Sequence, residues 1–140
     1  MSQQDKFITW WEPAFGYEEA QAVAEVVKGG FVNEGKLSDQ FADAVESFLG
    51  VKYALPTCNG TVSLFLALKA AGVAEGDEVI GPGLSVIATA TAVVMAGATP
   101  VFVDIKEHDL NLDADLVKGS ITERTRAIMP VHINGRSADM

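Results

Sequence analysis

At 140 residues, 49% of them hydrophobic, the chain is long enough to build one globular core. A formal net charge of -9 and a sequence pI near 4.5 set most of its surface against nucleic-acid phosphates and anionic lipid, so neither nucleic acid nor membrane is expected as a partner. Cys58 is the only cysteine, which excludes an intrachain disulfide and a multi-cysteine metal site. Met1 to Trp10 shows no basic start leading into an apolar run, so a cytoplasmic address is expected.

In chain order, Ala20, Val23, Ala24 and Val27 recur at helical spacing and predict a helix over Tyr17 to Lys28, with Glu18 and Glu19 in its first turn and Gly29-Gly30 as its stop. A second amphipathic helix is predicted from about Ser38 to Leu49, with Phe41, Val45, Phe48 and Leu49 on one face and Gly50 after it. Together they form an entry arm, residues 1–50, and the irregular loop Phe31 to Gly35 lies between them. The rest, residues 51–140, alternates strand and helix. Strands are predicted over Tyr53 to Pro56, Glu78 to Gly81, Thr99 to Asp104 and Ala127 to Val131, and helices over Thr61 to Ala71, Ser85 to Ala96 and Ala114 to Lys118. Such alternation with near-continuous apolar strands predicts an α/β fold, a mainly parallel sheet flanked by helices on both faces. Val79 to Val103 carries no charge over about 25 residues, the length of a membrane span. Gly81-Pro82-Gly83 and Gly97 to Pro100 cut it into pieces too short to cross a bilayer.

Ligands of open parallel sheets bind beyond the carboxyl ends of the strands, which here means Thr57 to Thr61, Pro82 to Ser85, Asp104 to Lys106 and His132 to Gly135. Within these loops, Pro56 to Leu64 runs through a small polar turn into an apolar helix. A helix start leaves backbone N–H groups free and adds partial positive charge, so a phosphate can be held there without lysine or arginine. Gly60 would let the backbone approach the anion and Thr61 could add its hydroxyl, while Asn59 or Thr61 could equally be the cap of a core helix. No Gly-x-x-x-x-Gly-Lys-Ser/Thr and no Gly-x-Gly-x-x-Gly after a strand is present. His108 and His132 are too few and too far apart for a zinc site. Cys58 with His132 is an alternative thiolate pair on the same rim, and Asp104, at a strand end, is either a ligand group or a turn residue.

Taken together, several segments resemble, in order, the DegT/DnrJ/StrS group of nucleotide-sugar aminotransferases, which use pyridoxal phosphate on a type I aminotransferase fold. They are Trp10 to Ala24 with Pro13, Gly16 and Glu19; Gly30 to Gly35; Gly50 to Ala54; Asn59-Gly60-Thr61 followed by Leu64, Ala67 and Leu68; Gly76 to Ile80 with Pro82; Ile87 to Ala90; Gly97 to Asp104; Asn111-Leu112-Asp113; and Ala127 to Gly135 with Asp139-Met140. The resemblance implies that these residues are the N-terminal part of such an enzyme, the arm followed by the first part of its large domain. It implies that the amides of Gly60 and Thr61, beside Asn59, bind the cofactor phosphate, and that Val86 stands where the family usually places an aromatic ring over the pyridine. It also implies nucleotide-linked keto-sugar and amino-acid substrates, glutamate as donor, and a homodimer; a sugar dehydratase relative or a noncatalytic phosphate-ligand module are the alternatives. In the family, the aspartate that pairs with the ring nitrogen and the lysine that links covalently to the cofactor follow the segment matching His132 to Met140. Lys52, Lys69, Lys106 and Lys118 match neither, so no amino transfer is expected of these 140 residues alone. The family also places further strands between the one near Tyr53 and the later three, so the chain is expected to dimerise or rearrange to cover sheet surface.

Overall fold

The computed structural model describes Thr9 and residues 11–140. Met1 to Ile8 and Trp10, which carry the reading of the N-terminus and the first residue of the resemblance, lie outside the described residues. The chain forms two compact units, Met1–Pro56 and Thr57–Met140.

Among its described residues the first unit holds two helices, α1 (Tyr17–Gly29) and α2 (Lys36–Leu49). The Glu19 carboxylate turns back to accept the Gly16 N–H at 2.7 Å, which satisfies one amide at the start of α1 and holds the Glu19 pKa below its usual value. α2 stops at Gly50, whose φ of 66° is a left-handed conformation that side chains resist. Its Glu46 then receives the Ala54 N–H at 2.8 Å. The strand expected over Tyr53 to Pro56 does not form. Among the described residues no strand pairs with it, and the Ala54 amide is committed to Glu46 instead of to a ladder.

The second unit is a three-layer α/β body. Its elements are α3 (Gly60–Ala70), β1 (Glu78–Pro82), α4 (Ala88–Met95), β2 (Thr99–Val103), α5 (Ala114–Ser120) and β3 (Thr125–Ile128), followed by a 3-10 turn, Ile133–Gly135. The sheet order is β2-β1-β3, with both pairings parallel. β1 is central and buried throughout, and its alternate side chains serve two cores. Val79 packs with Leu68, Val73, Ala92, Val93, Ala96 and Ala98 on the α3/α4 side, whereas Ile80, 0% exposed, packs with Val103, Leu112 and Val117 on the α5 side. An apolar central strand with helices over both faces is what the continuous Val79-Ile80 run and the flanking helical periods predict.

Two boundaries differ from expectation for local reasons. The helix expected from Ser85 begins at Ala88, because the Ser85 and Thr89 hydroxyls pair at 2.9 Å and the Thr89 N–H turns to the Val86 carbonyl at 3.1 Å. β3 spans Thr125–Ile128 rather than Ala127 to Val131. Met129 makes the last bond to β1, its N–H donating to the Ile80 carbonyl at 2.8 Å, and Pro130 has no N–H with which to continue. Among the described residues no helix is long and apolar enough to cross a membrane, and the uncharged stretch from Val79 to Val103 is divided among β1, α4 and β2.

Candidate functional site: the rim at the carboxyl ends of the strands

Because the three strands are parallel, Pro82 to Ser85, Asp104 to Lys106 and His132 to Gly135 all follow carboxyl ends and share one rim. Among the described residues no strand precedes Thr57 to Thr61, yet the helix it opens reaches the same edge. The turn after α3 meets the turn after α4: a Cβ on Gly97, whose φ is 86°, would lie 3.6 Å from the Glu75 backbone, and the Thr99 N–H donates to the Asp77 carbonyl at 2.9 Å. Both helices therefore finish at the amino edge of the sheet and, packed side by side, both begin at the carboxyl edge.

At the start of α3, Asn59 is an extended N-cap whose Oδ1 accepts the Val62 N–H at 3.0 Å, while its carbonyl accepts the Ser63 N–H at 3.1 Å. The Thr57 hydroxyl bonds the same carbonyl at 3.1 Å and pairs with the Ser63 hydroxyl, which fixes the path of the turn. Thr57 and Ser63 have no special signal in the sequence; two hydroxyls six apart meet only because the chain reverses between them. Asn59 is thus the cap that one reading of the sequence required, and it satisfies one amide only. Among the described residues, the Gly60 and Thr61 N–H groups have no protein acceptor. Gly60 has an ordinary helical φ, and a Cβ built on it meets nothing within 4 Å. Neither strain nor packing within the chain calls for glycine there, so the open space above it fits an oxyanion drawn close to two free amides at a helix start. Residues and space together suit an organic phosphate.

Val86 lies outside α4, in the turn after β1, and is 67% exposed. It presents an apolar surface on the same rim but no ring. Asp104 caps locally, its Oδ1 accepting the Ile105 N–H at 2.8 Å. Cys58 and His132 are not brought together as a catalytic pair. The Cys58 sulfur is 3.5 Å from Asn59 Nδ2, and His132 Nδ1 accepts the Ala138 N–H at 2.9 Å. His108 stands 3.4 Å from the Asp109 carboxylate, in the loop after β2. Among the described residues no cluster of His, Cys, Asp or Glu could hold a metal ion. Of the lysines, Lys69 donates to the Val73 carbonyl at 3.0 Å, Lys118 pairs with Asp115 at 2.9 Å, Lys106 lies 4.0 Å from Asp139, and Lys52 lies over the Tyr53 ring at 5.0 Å.

The strongest polar cluster is at the opposite, amino edge. The buried Glu78 carboxylate takes the Thr122 hydroxyl at 2.6 Å and pairs with the Arg124 guanidinium, Nε at 2.9 Å, and these bonds hold its pKa below the usual range. It ties β1 to the start of β3, away from the rim.

The DegT/DnrJ/EryC1/StrS aminotransferase family matches residues 13–140. Spore coat polysaccharide biosynthesis protein SpsC of Bacillus subtilis is 40% identical over the whole chain, which covers 36% of SpsC. GDP-perosamine synthase of Caulobacter vibrioides is 48% identical over 76% of the chain and 29% of its own length. The PLP form of Spr1654 from Streptococcus pneumoniae superimposes with a TM-score of 0.87 and 29% identity, over 94% of this chain and 34% of that one. The chain therefore spans about a third of the length of the relatives it matches. The α/β body is the corresponding part of a type I aminotransferase fold. With 128 of its 140 residues matched in order, the chain belongs to the DegT/DnrJ/EryC1/StrS aminotransferase family.

Proposed function

We propose that these residues form the phosphate-gripping part of a pyridoxal-phosphate-dependent enzyme that transfers an amino group, from glutamate, to a nucleotide-linked keto-sugar in the cytoplasm. The observation that carries this reading is the pair of unpartnered amides at Gly60 and Thr61, beneath open space on the rim. The Gly60 and Thr61 N–H groups and the Thr61 hydroxyl hold the phosphate, Asn59 fixes the turn that aims them, and Val86 gives the ring face an apolar contact in place of stacking. When bound, pyridoxal phosphate supplies an electron-accepting ring for the electron pair released at the amino donor's α-carbon. Residues 1–50 act as an arm and residues 51–140 as the first part of the cofactor domain, in an enzyme that works as a homodimer.

Because Lys52, Lys69, Lys106 and Lys118 do not match the lysine that links covalently to the cofactor in the family, the 140 residues grip the cofactor noncovalently and do not transfer amino groups by themselves. A purified chain that moves an amino group, with a cofactor absorbance abolished by reduction, would overturn that second statement alone. The grip is tested by titrating the chain with pyridoxal phosphate beside a Gly60→Val variant. A Cβ at this position has no protein atom within 4 Å, so the variant is expected to fold, which its circular dichroism and urea midpoint check. Blocking two amide-to-phosphate hydrogen bonds should weaken binding by at least about tenfold. Equal binding by both proteins removes the Gly60 turn as the phosphate site. Binding of inorganic phosphate with no preference for pyridoxal phosphate would favour the noncatalytic phosphate-ligand module.

A further inference from the structure

The loop after β2 and the loop after β3 are joined by one buried side chain that no part of the phosphate grip uses. Asn111 is 2% exposed, and both ends of its amide group are engaged across 22 or more positions of sequence. Its Nδ2 donates to the Ser137 carbonyl at 3.2 Å, and its Oδ1 accepts the Ile133 N–H at 3.3 Å. Its own backbone is pinned as well: the Asn111 N–H donates to Asp109 Oδ1 at 2.9 Å, and its carbonyl accepts the Lys106 N–H at 2.8 Å. The preceding residue, Leu110, is held at a φ of 64°, a left-handed conformation that a bulky side chain resists. On the partner loop Asn134 also has a positive φ, 50°, and the His132 ring closes the turn by accepting the Ala138 N–H.

These contacts join the loops that follow the two outer strands, past the end of central β1. An apolar residue of the same size at position 111 would leave the Ser137 carbonyl without this partner and the Ile133 N–H with the Val131 carbonyl alone, at 3.0 Å, and would cut the buried side-chain tie between the two loops, so the asparagine is needed for where it puts the loop. We infer that Asn111 is a positioning residue, fixing the His132–Ala138 loop so that the rim is already shaped to receive the body of the cofactor whose phosphate sits at Gly60. This rests on the proposed function.

The inference separates two parts of one ligand. Phosphate alone needs only the Gly60 turn, which Asn111 does not touch, whereas pyridoxal phosphate also meets the rest of the rim. The test compares dissociation constants for pyridoxal phosphate and inorganic phosphate, with amide exchange at Ala138 and Ile133, in the full chain and in Asn111→Leu. Asn111→Asp, which keeps the size but replaces the Nδ2 donor by a carboxylate oxygen facing the Ser137 carbonyl, serves if the leucine variant does not fold. Expected are faster exchange at both amides, unchanged protection at Val79 and Ile80, a pyridoxal phosphate constant raised about tenfold for roughly one buried hydrogen bond lost, and an unchanged phosphate constant. Accelerated exchange with an unchanged pyridoxal phosphate constant overturns the inference, and so does equal weakening of both ligands, which would mark general loosening. If the unsubstituted chain binds neither ligand, the functional reading has failed and the inference falls with it.

Discussion

At Asn59 a single side chain settles how many amides the α3 start can offer. By accepting from Val62, it satisfies one helix-start donor and leaves Gly60 and Thr61 to face outward. Asn59→Ala should destabilise the chain by about 1 kcal/mol in urea unfolding, the usual loss for an N-cap. It also frees the Val62 amide, so its effect on pyridoxal phosphate affinity should be smaller than that of Gly60→Val, and a larger effect would mean that the asparagine touches the ligand itself. Glu78 gives a second residue-level expectation. Its carboxylate is held ionised by the Thr122 hydroxyl and by Arg124, so its folded pKa lies below the value of 4.5 taken for a free glutamate. The stability this supplies is complete above that value and disappears as pH falls through the lower, folded one. Glu78→Gln should accordingly be less stable than the parent chain at neutral pH and converge with it in acid. A gap that persists undiminished in strong acid would show that ionisation of Glu78 contributes nothing.

Among the elements, those whose apolar pattern is answered by packing within the chain were legible in the sequence. β1 was placed to within a residue because Val79 and Ile80 each enter a core, and β2 likewise because its five residues lie in register against β1. Ile80→Ala should lower stability by about 2–5 kcal/mol, as for other large-to-small changes in a closed core, and a loss below about 1 kcal/mol in denaturant titration would mean that the α5-side core collapses around the gap. What was not legible depends on which bonds a residue makes in the fold, near or far in sequence. Tyr53 to Pro56 has strand composition but no strand beside it, and Ser85 reads as a helix residue until its hydroxyl is seen to reach Thr89. β3 starts at the polar pair Thr125-Arg126 because β1 shifts register there, Glu78 facing Thr125 and Val79 facing Ala127. The Gly60 turn was readable from local chemistry, since strand-like residues, a polar turn and an apolar helix follow one another. Asn111 was visible only as a letter in a family-like triplet; that it joins Ile133 to Ser137 is a property of the fold.

Across the whole molecule, most exposed apolar side chains among the described residues lie on α1, α2 and the loops, but two stand on the unpaired outer strands of the sheet. Among the described residues no strand pairs with the outer edges of β2 and β3, and these strands present Phe102, 58% exposed, and Ile128, 47% exposed. An open edge with apolar side chains beside it is a template for pairing with another chain, because each unpaired N–H and C=O can be matched and apolar area removed from water in the same step. The net charge of -9 opposes that association at long range, but it is screened within about 10 Å at ordinary salt. Self-association should therefore strengthen as salt is added, the opposite of what an interface held by opposite charges would do. Light scattering should show an apparent mass that rises with concentration and with salt, and Ile128→Lys, which sets a charge at the β3 edge, should return it toward the monomer. A single mass of one chain at all concentrations and salts would show that the edges are already closed by the chain's own side chains.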